Sequence, residues 1–77
     1  MEIKVLGPGC PKCKEAEKVV REAVAAAGID ADVEKITDFQ QMMRYGVMST
    51  PAVVVDGVVK VAGRAPSRDE VLAWIGR

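Results

Sequence analysis

Two cysteines, Cys10 and Cys13, are the residues of this chain best suited to chemistry, and they are its only cysteines in 77 residues. Two positions separate them, in Cys10-Pro11-Lys12-Cys13. A thiol pair at this spacing can cycle between dithiol and disulfide, or supply half of a metal site. The redox chemistry needs one sulfur ionised, because the thiolate is the nucleophile. The surroundings favour that. A short apolar run, Ile3-Lys4-Val5-Leu6, is followed by the break Gly7-Pro8-Gly9, and an amphipathic stretch then runs to about Ala27. The pair therefore falls where a strand ends and a helix begins. Backbone N–H groups left over at a helix N-terminus favour negative charge, a thiolate included.

Metal is the main rival reading. A closed tetrahedral site takes four ligands, usually Cys or His. This chain has two Cys and no His, so closure would need two copies sharing their pairs, or added carboxylates. A structural staple is the blander alternative, but so short a loop restrains little of the unfolded chain. Eleven basic and eleven acidic residues cancel to zero net charge, which leaves no basic footprint for nucleic acid. No apolar run has bilayer length, and the N-terminus lacks a signal peptide's layout. The expectation is a cytoplasmic protein with no membrane role, where a close cysteine pair does redox or metal chemistry. The length fits one small domain over residues 1–77, and 49% apolar composition is enough for its core.

The elements that must position the pair follow from periodicity. Glu2 to Leu6 reads as a strand with Ile3 and Val5 on one face. Pro11 suits the first helical position, where its missing N–H has no partner to lose. Ala16, Val19, Val20, Ala23, Val24 and Ala27 form one helical stripe, which Cys13 shares. Gly28 stops this helix. Ile29 to Ile36 alternates apolar and acidic residues, as in a half-exposed edge strand. Strand, helix, strand makes a βαβ unit with parallel pairing. Thr37-Asp38-Phe39-Gln40 has the form of a capping box with Thr37 at the cap. It opens a short helix from Asp38 to about Tyr45 with Phe39, Met42 and Met43 inward, and Gly46 ends it. Ala52 to Val55 is a central strand apolar on both faces. Asp56-Gly57 turns it into an antiparallel strand, Val58 to Ala62. Ser67-Arg68-Asp69-Glu70 is a second capping box, opening a last helix with Val71, Leu72 and Ile75 inward and Trp74 along its margin. The class is α/β, in the order βαβ-α-ββ-α on one mixed four-stranded sheet.

Pro51 is a second signal. It follows Ser49-Thr50 and opens a central strand, the position where proline is tolerated. With it, the pattern resembles the thioredoxin superfamily in its minimal, glutaredoxin-sized form. A Cys-Pro-x-Cys at a helix start is followed by Thr-Pro before Val53-Val54-Val55-Asp56-Gly57. The likeness covers essentially the whole chain. It is closest to the small thioredoxin-like redox-active disulfide proteins of archaea and bacteria, where Gly-Pro-Gly-Cys-Pro-x-Cys, Ser-Thr-Pro-Ala and Gly-Arg-x-Pro-Ser recur. The resemblance implies a sheet order of 2-1-3-4 flanked by three helices. It also implies a cis Thr50–Pro51 bond facing the dithiol across a shallow groove, with the Thr50 backbone pairing with an incoming peptide. Val47 and Met48 are implied partner contacts. Gly9 stands where thioredoxins usually carry Trp, and Lys12 where glutaredoxins carry Tyr.

The expected activity is thiol–disulfide exchange on protein disulfides. Cys10, at the helix end, is the nucleophile. Cys13, on the buried stripe, stays protonated until it resolves the mixed disulfide. Pro11 and Lys12 support the site, with Thr50 and Pro51 opposite. Lys12 and Lys14 are read first as solvated surface lysines, with added positive charge for the thiolate as the alternative. No cofactor is expected beyond the Cys10–Cys13 disulfide itself, and no metal. The motif does not support glutathione. The expected partners are disulfide-containing proteins and an upstream reductase, met by a monomer. Two alternatives stand beside this one. One is a glutathione-linked glutaredoxin acting on small oxidised substrates. The other is a non-catalytic metal or cluster carrier using the cysteine pair.

Overall fold

The sheet of this protein, seen in a computed structural model that describes residues 1–9 and 11–75, runs in the order β2-β1-β3-β4. Its strands are β1 (Glu2–Leu6), β2 (Asp32–Ile36), β3 (Ala52–Val55) and β4 (Val58–Ala62). The helices are α1 (Pro11–Ala27), α2 (Phe39–Arg44) and α3 (Arg68–Trp74). β1 pairs in parallel with β2 and antiparallel with β3, and β3 pairs antiparallel with β4. The architecture is a minimal thioredoxin fold.

Strand alternation assigns the two faces. Ile3, Val5, Val53, Val55 and Val61 meet Ala16, Val20 and Ala23 of α1 and Val71 and Ile75 at the end of the chain. Leu6, Ala52 and Val54 point the other way, into a smaller cluster with Ile36, Met42 and Val47. β3 is buried at all four positions, as a strand covered on both faces must be. The α1 stripe is buried at Cys13, Ala16, Val20 and Ala23. Val19, Val24 and Ala27 pack partly buried along its margin, as does Trp74 of α3.

Local chemistry sets the ends of the elements. Gly28 takes a positive φ of 66° after α1, and its N–H donates to Val24 and Ala25 carbonyls. Asp56 and Gly57 both have positive φ, 48° and 84°, the combination that suits a two-residue hairpin. The Asp56 carboxylate accepts from the Glu2 N–H at 2.8 Å, which locks this turn to the start of β1. Ser67 and Glu70 form the expected capping box on α3. β4 carries a bulge. Val53 faces Val61 and Val54 faces Val59, so Lys60 has no opposite number.

Three sequence expectations need correction. The second strand starts at Asp32, not Ile29. Its register begins with Glu2 opposite Asp32, so β1 offers residues 29–31 nothing to pair with. The cap of α2 is Asp38, not Thr37: the Asp38 carboxylate accepts the Gln40 N–H at 2.9 Å. Phe39 and Met43 do not face inward and are 70% and 62% exposed. A helix of six residues places one short stripe on the sheet, and Met42 occupies it. Met43 is rotated about 100° from Met42, and Phe39 sits at the helix's first residue, on the rim.

Candidate active site

The site is built where the C-terminal end of β1, the first turn of α1 and the segment before β3 converge. Gly7 continues β1 and donates its N–H to the Ile36 carbonyl at 2.9 Å. Its missing side chain leaves the space that Cys13 uses. A Cβ at Gly7 would collide with the Cys13 Sγ, lie 3.0 Å from the Cys13 Cβ and lie 3.8 Å from the Thr50 Cβ. Cys13 and Thr50 therefore flank the same point of the chain from two distant elements. Cys13 is fully buried on the α1 stripe. Pro51 is also fully buried, Thr50 is half-buried, and the peptide bond between them is cis.

The remaining sequence candidates divide by exposure. Pro11 is the first residue of α1 and is exposed, as are Lys12 and Lys14. The first turn of α1 contains no acidic residue, so nothing there competes for its positive end. Cys10 lies outside the described residues. Among the described residues no three thiols or carboxylates gather as a metal-binding group would require.

Further residues complete the surroundings, one of them unremarked in the sequence. Lys35, at the end of β2, is half-buried and brings its ammonium beside Gly9: a Cβ there would lie 3.8 Å from Nζ. Gly9 precedes Cys10 in the sequence, so the ammonium lies beside the residue that leads into the cysteine pair. No sequence signal marks Lys35, since its approach depends on β2 lying beside β1. Next to the dithiol segment opens a groove of about 160 Å³, lined by Pro8, Thr37, Phe39, Met42, Val47, Met48 and Thr50. Met48 is 97% exposed, whereas Val47 is buried in the smaller core.

The turn after β4 closes the other side. The Gly63 N–H donates to the Pro51 carbonyl at 2.9 Å. Gly63 has φ of 90°, and a Cβ there would lie 3.3 Å from the Ser49 Cβ. The next residue, Arg64, forks onto Glu70 at 2.8 and 2.6 Å. The Arg64 fork, then the Ser67 backbone N–H, hold the Glu70 carboxyl at about 2 rather than 4.5. A carboxyl whose folded pKa is depressed adds stability above its unfolded pKa and loses it as pH falls through the folded one. The melting-temperature gap between wild type and Glu70→Gln is thus expected to be full above about pH 5 and to close toward pH 2. Circular-dichroism melts across that range check it, and a gap that persists at pH 2 contradicts it.

These features define a class: a buried cysteine at a helix start, opposite a cis proline, on a four-stranded sheet of thioredoxin order. Comparison with known proteins supplies the family. The model of the Thioredoxin domain family matches residues 1–76. A thioredoxin of Methanothermobacter thermautotrophicus is 42% identical over 71 residues, 92% of either chain. A thioredoxin of Methanocaldococcus jannaschii is 39% identical over 69 residues, 90% of this chain and 79% of its own. A probable thioredoxin of Methanothermobacter thermautotrophicus is 45% identical over 71 residues, covering 88% and 82%. This chain belongs to the thioredoxin domain family, whose chemistry is thiol–disulfide oxidoreduction.

Proposed function

We propose that this protein is a protein-disulfide reductase that works by mixed-disulfide exchange at Cys10-Pro11-Lys12-Cys13. The observation that carries the reading is the convergence of the buried Cys13 with Gly7 and Thr50, next to Pro51 and the mouth of an apolar groove. Cys10 supplies the attacking thiolate, favoured by the α1 N-terminus and by the Lys35 ammonium near Gly9. It attacks one sulfur of a substrate disulfide. A bond forms between Cys10 and that sulfur, the substrate S–S bond breaks, and the other substrate sulfur leaves as thiolate. Cys13 then loses its proton and attacks the Cys10 sulfur. The Cys10–Cys13 disulfide forms and the second substrate thiolate departs. The substrate gains two electrons and two protons, and the protein gives up two thiols.

The groove supports a protein substrate over a small one. It is apolar, and it is rimmed by exposed Phe39 and Met48, which a peptide flanking the target disulfide would cover. Thr50 supplies backbone for that peptide, and Pro11 and Lys12, exposed at the start of α1, support the dithiol. On the same reading the protein acts as a cytoplasmic monomer, without metal or glutathione, and an upstream reductase returns its dithiol.

Insulin reduction driven by dithiothreitol tests the activity, together with metal analysis of protein purified without reductant. Turnover well above dithiothreitol alone is expected. Stoichiometric metal without turnover would overturn the proposal in favour of a carrier. Phe39→Ser or Met48→Gln should raise KM roughly fivefold, the equivalent of about 1 kcal/mol of apolar contact, and leave thiol alkylation unchanged. Unaltered KM in both variants would remove the groove from substrate binding.

A further inference from the structure

Arg64 and Glu70 sit outside the dithiol segment, yet they anchor the turn that touches Pro51. Three links make the chain. Glu70 is fixed on α3, where its Oε1 accepts the Ser67 N–H at 2.9 Å and its own N–H donates to the Ser67 hydroxyl at 3.2 Å. α3 is itself held by Val71, buried against α1 and the sheet. The Arg64 fork then ties the turn to that helix with two charge-assisted bonds, a geometry that fixes direction as well as distance. The residue before Arg64 is Gly63, whose N–H holds the Pro51 carbonyl and whose bare Cα packs against Ser49.

We propose that the Arg64–Glu70 fork is a positioning device for Ser49, Thr50 and Pro51, setting where the wall of the groove stands relative to the cysteine pair. Arg64 touches no reacting atom in this account and acts through Gly63. Its consequence for turnover rests on the disulfide-reductase reading above. A fork is needed, not merely a charge: lysine presents a point ammonium and cannot make two parallel bonds to one carboxylate.

The test uses Arg64→Gln and the charge-conserving Arg64→Lys in the full chain, followed by amide hydrogen exchange and by kinetics. The Gly63 amide reports the turn directly. The Asp56 amide, which donates to the Glu2 carbonyl at 2.8 Å at the far end of β3, reports general loosening. Both variants should speed exchange at Gly63 roughly three- to tenfold, the range of a well-formed exposed ion pair, and leave Asp56 unchanged. KM for a protein disulfide should rise by a similar factor, and the alkylation rate of the outer thiol by iodoacetamide should stay the same. Unchanged Gly63 exchange would overturn the proposal, as would equal acceleration at Gly63 and Asp56, or a KM that does not move while Gly63 does. A wild type inert toward disulfides would instead defeat the reductase reading, and Gly63 exchange would still decide whether the fork holds the turn.

Discussion

Replacing Cys10 by serine is expected to reduce disulfide reduction to the background of dithiothreitol alone, a loss of roughly a thousandfold or more, since removal of a nucleophile costs orders of magnitude. Cys13→Ser should behave differently. The first exchange still occurs, but the second lacks its thiol, so a mixed disulfide between Cys10 and the substrate accumulates. Mass spectrometry of the unreduced reaction detects that adduct. The asymmetry follows from burial. Cys13 lies sealed beneath Gly7 and α1, so an incoming protein cannot reach it. An insulin-reduction rate in Cys10→Ser equal to wild type would end the assignment of the nucleophile, and an adduct on Cys13 in place of Cys10 would invert it. The same trap, used on cell extract, captures the natural substrates.

The second large effect is expected at Gly7. Its φ is not in the left-handed region, so alanine meets no backbone objection there. The objection is steric. The Cys13 sulfur can swing aside only by turning in a filled core, and the Cys13 Cβ, 3.0 Å from the added carbon, moves only with the α1 backbone. Overpacking of this kind costs about 1–3 kcal/mol. In a domain of this size each kcal/mol lowers Tm by about 4–8 °C. Gly7→Ala should therefore melt well below wild type. Displacing Cys13 should also prolong the mixed disulfide, while the alkylation rate of the outer thiol holds. A variant with wild-type Tm and wild-type turnover would show that the close approach is not tight.

What was legible in the sequence was local. The 3.6-residue stripe placed α1 and buried Cys13 on it. The Asp56-Gly57 pair placed the hairpin, and the Ser67–Glu70 box placed the start of α3. The sheet order came from the family likeness, not from periodicity. What escaped the reading crosses between elements. Gly7 looked like punctuation after a strand, whereas its purpose is the contact with Cys13. Lys35 looked like one more charge on an edge strand, and Arg64 like a loop residue. Each gains its meaning from a neighbour many positions away, which no window along the chain contains. The errors in α2 have a related cause. Phe39, Met42 and Met43 are equally apolar, and only the helix's length and placement decide that Met42 alone is covered. Asp38 and Thr37 are both good caps, and it is the Asp38 carboxylate that accepts the Gln40 N–H.

The irregularity at Lys60 bears on how copies of this protein behave in a crowded solution. With opposite charges in balance, no long-range repulsion keeps two molecules apart. An outermost ribbon with bare valines, such as Val58 and Val59, would then invite a neighbour to extend the sheet. The kink interrupts the even row of amides and carbonyls that such zippering requires, and the lysine adds an ammonium in the middle of it. Asp32 and Glu34 give the opposite rim a comparable guard. Edge-to-edge pairing is thereby opposed at both margins of the sheet, while the apolar groove stays open.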